Sequence, residues 1–232
     1  MNEKTIKVNN LEKKIKYTVT ECISSELTFG DEEGTREIWF YPEIRKGDVF
    51  VDIGAAYGSY SIPALVLGAH VIAFTPKEDE DQYQTIIDNL KLNCSSEQNF
   101  CVYGHGLYDK TGYLRTLSQM FYETRAEAEL DFHPNTPNDV VINVIPLDEF
   151  NIEKIDIMKL DVEGAELHIL KGARKTIEKC LPRLILVENH TFKDKDIGDK
   201  VIEFIDSLQL GYTNDTGTGE NVTRTRFARK IT

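Results

Sequence analysis

The stretch VFVDIGAAYGSY, residues 49–60, sets an aspartate directly before a turn almost bare of side chains. Val49, Phe50, Val51 and Ile53 form a short apolar run of the kind that makes a strand covered on both faces. Gly54, Ala55, Ala56 and Gly58 then leave the main chain open to a small ligand, which would also meet the amide groups opening the next helix. A dinucleotide pyrophosphate fits badly here. The spacing is D-x-G-x-x-x-G rather than G-x-G-x-x-G, and a carboxylate is a poor neighbour for phosphate. A cation suits the aspartate better. S-adenosylmethionine carries an α-ammonium and a sulfonium and no phosphate, so the turn is expected to hold its methionine end. Asp52 would stand beside the ammonium, directly or through water, while Gly54, Ala55 and Gly58 allow close approach.

A second group of candidates lies later in the chain. Asp161 ends the apolar segment IDIMKL and is expected to be functional, because it falls at the end of a strand where ligands gather. Glu163 and Glu166 open a helical stretch, where capping and the helix dipole favour acids, so a structural role is expected for both. Glu188 follows LILV, where a carboxylate is costly to bury without a partner, and His190 shares its side if that strand continues. A hydroxyl that accepts a methyl group must lose its proton as it attacks, and a positioned base supplies that step. His190 is the expected base, with Asp161 or Glu188 orienting it or the substrate.

These residues need elements to carry them. TIKVNNLEKKIKYTVTE alternates on both sides of Asn9 and Asn10, which predicts a β-hairpin, and REIWFYPEI predicts a short helix ending near Pro42. Strand one covers 48–53, with a helix from about Ser59; HVIAF is strand two, and Tyr83, Ile86, Ile87 and Leu90 mark the next helix. FCVYG is strand three, DVVINVIPL a further strand, IDIMKL strand four and RLILVE strand five. GAELHILKGARKTIEKC reads as one helix, Ile197 to Leu208 as the last, and GYTNDT with TRTRFARK as a terminal antiparallel pair whose arginines line a solvated face. Residues 115–138 lose any sustained period and are expected to form, with the hairpin region, a lid over the acceptor. The alternation implies an open, mostly parallel α/β sheet with helices on both faces, with ligands at the carboxyl ends of its strands. Residues 1–47 read as an N-terminal hairpin and helix extension packed on one catalytic domain of 48–232.

Composition narrows the partners. A chain of 232 residues, 41% hydrophobic, suits one such domain, and its net charge of −12 repels a polyanion, so no nucleic acid is expected. The N-terminus lacks the apolar core of a signal peptide and no apolar run is long enough for a bilayer, so no membrane contact is expected and a cytoplasmic location is. Cys22, Cys94, Cys101 and Cys180 lack metal-ligand spacing and read as reduced. Of the remaining histidines, His105 alone is expected near the cofactor, at its adenine edge.

Three stretches, VFVDIGAAYGSYSI, VIPLDEFNIEKIDIMKLDVEGAELHILKGA and LPRLILVENH, together resemble the FkbM family of methyltransferases. The likeness runs in order from about residue 36 to 190, and DVEGAE is its most specific part. It implies a class I, Rossmann-like methyltransferase fold, S-adenosylmethionine as donor, and a hydroxyl of a sugar or small natural product as acceptor. Tyr57 in the turn, Thr75 after strand two, Gly106 and Leu107 after strand three, and Asp161 complete the cofactor-binding set that it implies. Asp161, Glu188 and Asn189 also stand at positions similar to the metal ligands of catechol O-methyltransferase, which makes Mg²⁺ an alternative activator of the hydroxyl. Two positions depart from the family pattern. Ala56 replaces an asparagine, and Thr75 replaces the acid that grips the ribose hydroxyls, a loss of about 1.5–3 kcal/mol unless Glu78 or Asp79 substitutes. Those departures define a rival reading, an inactive binding protein on the same fold. A second rival, a tRNA-base methyltransferase, finds support in IDNLKLN but lacks an N-P-P-type motif after strand four.

Overall fold

Alternating apolar and charged residues at the N-terminus form the expected hairpin. β1 (Asn2–Val8) pairs antiparallel with β2 (Leu11–Tyr17), in register from Asn2↔Tyr17 to Val8↔Leu11, with Ile6, Ile15 and Tyr17 buried. The structure is a computed structural model. It describes residues 1–8, 11–18, 40–94, 99–117, 126–127, 139–191, 194–218 and 222–230, in two compact units, 1–104 and 105–232. The hairpin turn and Cys22 lie outside the described residues, and around Pro42 the described part of the expected helix is one 3-10 turn, Tyr41–Glu43.

In the first unit, β3 (Val49–Ile53), β4 (His70–Phe74) and β5 (Phe100–Tyr103) are parallel neighbours in that order. β3 is buried at four successive residues, Phe50 to Ile53, which is why it reads as a continuous apolar run and not an alternation. α1 (Ser61–Val66) starts two residues later than expected, keeps Pro63 in its first turn, where amides lack intrahelical partners, and gives way to Gly68 at φ +99°. α2 (Glu80–Asn93) is capped by Asp79, whose carboxylate accepts from the Gln82 amide at 3.1 Å, and it buries Ile86 and Leu90.

The second unit opens with a small four-stranded sheet, β6-β9-β7-β8, made of β6 (Gly106–Leu107), β7 (Gly112–Leu117), β8 (Ala126–Glu127) and β9 (Asp139–Ile145). The loss of period expected from residue 115 therefore starts too early, since β7 pairs with β9 as far as Leu117↔Asp139; 118–125 and 128–138, the body of the expected lid, lie outside the described residues. β10 (Ile157–Leu160), buried throughout, runs parallel to β11 (Leu184–His190). The expected long helix is two, α3 (Glu166–Gly172) and α4 (Arg174–Cys180), because Ala173 leaves helical angles at φ −106°, ψ 3°. α5 (Ile197–Ser207) precedes the terminal pair, β12 (Tyr212–Thr218) and β13 (Val222–Arg229).

β13 is not simply a strand with a solvated face. It lies between β11 and β12, with Thr225 and Phe227 buried, and Arg224 pairs with Glu188. The second unit's strands are ordered β12-β13-β11-β10 and the first unit's β3-β4-β5, mostly parallel, in an α/β fold. Among the described residues no helix is long and apolar enough to cross a membrane, and Cys94, Cys101 and Cys180 form no disulfide with one another.

Candidate functional site

In the first unit the glycine turn is built on left-handed backbone. Gly54, Ala56 and Gly58 have φ of +75°, +46° and +94°. Gly54 and Ala55 both donate to the Phe74 carbonyl at 3.1 Å, pinning the turn to the end of β4. A Cβ on Gly58 would meet the Ile62 side chain at 3.2 Å, a tight contact added to the left-handed angle that favours glycine. Asp52 is wholly buried, and the Ser61 hydroxyl, at the start of α1, donates to its Oδ2 at 2.6 Å. The Tyr57 hydroxyl donates to Asp81 at 3.2 Å.

Two positioning residues of this unit escaped the sequence reading. Besides Ser61, Asn89 is fully buried on α2, donating to the Tyr57 carbonyl at 3.0 Å and accepting from the Thr18 amide at 2.7 Å. An asparagine between Ile86 and Leu90 on the apolar helix face was the available signal, since a buried amide needs partners. Thr75 follows β4, is buried and donates its amide to Tyr103 at 3.2 Å. Asp79, one of the two acids considered as a substitute for the ribose-gripping residue, is committed as the cap of α2.

In the second unit the turn after β10 folds back on itself, with Glu163 at φ +57° and Gly164 at φ +108°. It gathers Asp161, Glu163 and Glu166 around His190, which ends β11. His190 Nδ1 lies 2.8 Å from Glu166 Oε1; Nε2 lies 3.3 Å from Glu163 and 3.8 Å from Asp161. Glu166 has no exposed surface, and the Gly164 amide also donates to it at 3.0 Å. The structural role expected for Glu163 and Glu166 thus misses their contact with the histidine. Their spacing from Asp161 was legible, but not the left-handed turn that brings them to β11. Glu188 and His190 share a side as expected, but Glu188 is held by Arg224 at 2.9 Å.

The electrostatics follow from burial and crowding. Burial lowers the basicity of His190, but Glu166, Glu163 and Asp161 outweigh it and push the pKa up to about 9. Burial raises Glu163, against the pull of His190, and raises Glu188 with help from Asp161 and against Arg224. Asp161, Glu163 and His190 offer ligand atoms within 4.8 Å of one another. The Lys159 ammonium, 3.4 Å from Asp161, and a protonated imidazole already supply positive charge there. Of the magnesium set of Asp161, Glu188 and Asn189, Glu188 is paired with Arg224 at 2.9 Å. Asn189 is buried, its amide nitrogen donating to the Thr223 carbonyl and Thr225 hydroxyl, both at 3.0 Å, while its Oδ1 has no hydrogen-bond partner among the described residues.

Gly106 and Leu107 are buried in β6, where a Cβ on Gly106 would lie 2.9 Å from Val144; packing accounts for that glycine. His105 packs edge-on against Phe150, with centroids 6.1 Å apart.

A family model for the methyltransferase FkbM domain matches residues 52–213. The chain belongs to the FkbM methyltransferase family. A methyltransferase FkbM from Methylobacillus flagellatus KT is similar in structure, with TM-score 0.60 and 20% identity over 83% of this chain. This chain spans only 47% of that one. A putative rRNA methylase from Clostridium thermocellum gives TM-score 0.52 at 12% identity, covering 89% of this chain and 96% of that one. The 16S rRNA N2 G1207 methyltransferase of T. thermophilus, solved with AdoMet and guanosine, gives 0.50 at 12% identity, covering 99% and 50%. At such identities these likenesses carry the fold alone. No curated protein matches the chain.

Proposed function

We propose that this FkbM-family chain is an S-adenosylmethionine-dependent O-methyltransferase whose acceptor is a hydroxyl of a sugar or small natural product. The observation that carries the reading is the meeting of Asp161, Glu163 and His190 after β10 and β11, with Nε2 of the imidazole directed at both acids. The first unit's turn fits the cofactor's methionine end: three left-handed residues expose main chain, and the buried Asp52 supplies charge in a poorly screened setting. Gly54, Ala55, Tyr57, Gly58 and Thr75 would complete that contact. When bound, the cofactor would supply a methyl group on a sulfonium, the acceptor oxygen bonding to the methyl carbon as the carbon–sulfur bond breaks and S-adenosylhomocysteine leaves. His190 takes the hydroxyl proton at Nε2, with Asp161 or Glu188 orienting it or the acceptor.

Because the imidazole holds its proton up to about pH 9, transfer is expected to rise with pH through that value. A small neutral or cationic acceptor suits the net charge of −12 better than a nucleic acid does. The experiment is formation of S-adenosylhomocysteine from S-adenosylmethionine across a panel of sugars and phenolic or polyketide alcohols. His190→Gln should remove the alkaline rise and cut turnover about 10²-fold or more. Transfer that is flat from pH 7 to 9.5 in the unmodified protein would remove His190 from the proton path. Thr75, in place of the family's acid, supports the rival binding protein; cofactor binding without turnover on any hydroxyl would favour it.

A further inference from the structure

We infer that Glu166 is the positioning residue of this site, its carboxylate fixing which ring nitrogen of His190 faces the acceptor. The inference rests on the reading of His190 as proton acceptor. An acid in the first turn of a helix is ordinarily solvated, yet Glu166 has no exposure. Its Oε1 accepts from the Gly164 amide at 3.0 Å and meets His190 Nδ1 at 2.8 Å. An ionised carboxylate only accepts, so the proton of that contact resides on Nδ1. Nε2 is then the nitrogen that gains and loses a proton, and it is the one turned toward Glu163 at 3.3 Å and Asp161 at 3.8 Å. A ring rotated by a half-turn would set a carbon against Glu166.

The backbone serves the same end. The left-handed pair Glu163 and Gly164 reverses the chain so that the Gly164 amide meets Glu166. The second oxygen of Glu166 is buried with no hydrogen-bond partner among the described residues, so His190 and the Gly164 amide are this carboxylate's partners there. Among the described residues, Asp161 and Glu163 from the turn are the other acids against the ring, with Glu188 two residues before it on β11. Lys159 and Arg224 are paired with Asp161 and Glu188. Glu166 alone of the described acids contacts Nδ1.

The test is E166Q, which keeps the side chain's size and removes its charge, read by NMR titration of the His190 ring and by the pH dependence of kcat. The ring's midpoint should fall by about one unit or more. The alkaline limb of kcat should move with it, and kcat should drop roughly tenfold or more. Cofactor affinity and acceptor KM should hold. E166D, which keeps the charge but withdraws it, should restore part of both changes; if E166Q does not fold, E166D must show them in smaller measure against the unmodified protein. An unchanged His190 titration in a folded variant overturns the inference. A shifted titration with an unshifted kcat profile instead overturns His190 as the base, so the two failures are distinguishable.

Discussion

At His190 a single side chain ties stability to the proposed proton transfer. Its pKa in the folded chain, about 9, stands above the ordinary 6.5, so the folded state binds the proton more tightly than the unfolded state. That contribution is fully present below pH 6.5 and is lost as pH rises through 9; the shift corresponds to about 3 kcal/mol at most. Denaturant titrations should show stability falling between pH 6.5 and 9, with a smaller fall in His190→Gln. An equal fall in both proteins would assign the effect elsewhere. Ala56 offers a second residue-scale outcome. It holds φ +46°, a conformation that costs a non-glycine residue about 1–2 kcal/mol but that asparagine, the family's usual residue, tolerates better. Ala56→Asn should raise the melting temperature, and a lowered one would show that the asparagine side chain finds no room beside Ala55 and Tyr57.

Among the elements, the break between α3 and α4 shows where sequence reading stops. Leu167, Leu170, Ala173 and Ile177 keep helical spacing across it, so periodicity alone joins the two. Gly172, the last residue of α3, is held to glycine by packing: a Cβ there would lie 2.1 Å from the Tyr108 carbonyl oxygen, a contact from a distant loop that spacing does not reveal. Gly172→Ala should therefore destabilise the chain by about 2 kcal/mol or more, measured by denaturant unfolding, whereas a helix-interior glycine in open space would gain from alanine. The strands that carry candidate residues were legible because β3 and β10 are short, mainly apolar runs with an acid at or just past the end, Asp52 and Asp161, and β11 is an apolar run ending in Glu188, Asn189 and His190. What stayed hidden depended on partners far along the chain. Arg224 reads as one of several alternating cations until β13 pairs with β11, and Glu166 reads as a helix-start acid until His190 arrives beside it.

For the whole molecule, membership of the FkbM methyltransferase family and the mostly parallel α/β fold stand on the match over residues 52–213 and on the strand order. The proposed use of S-adenosylmethionine is the claim on which the rest depends. It is tested most directly by calorimetric titration of the unmodified chain and of Asp52→Ala with S-adenosylmethionine. The account predicts saturable one-to-one binding, weakened about tenfold or more in Asp52→Ala, which is about 1.4 kcal/mol. No binding to the unmodified chain, or equal affinity in a folded Asp52→Ala, would contradict it.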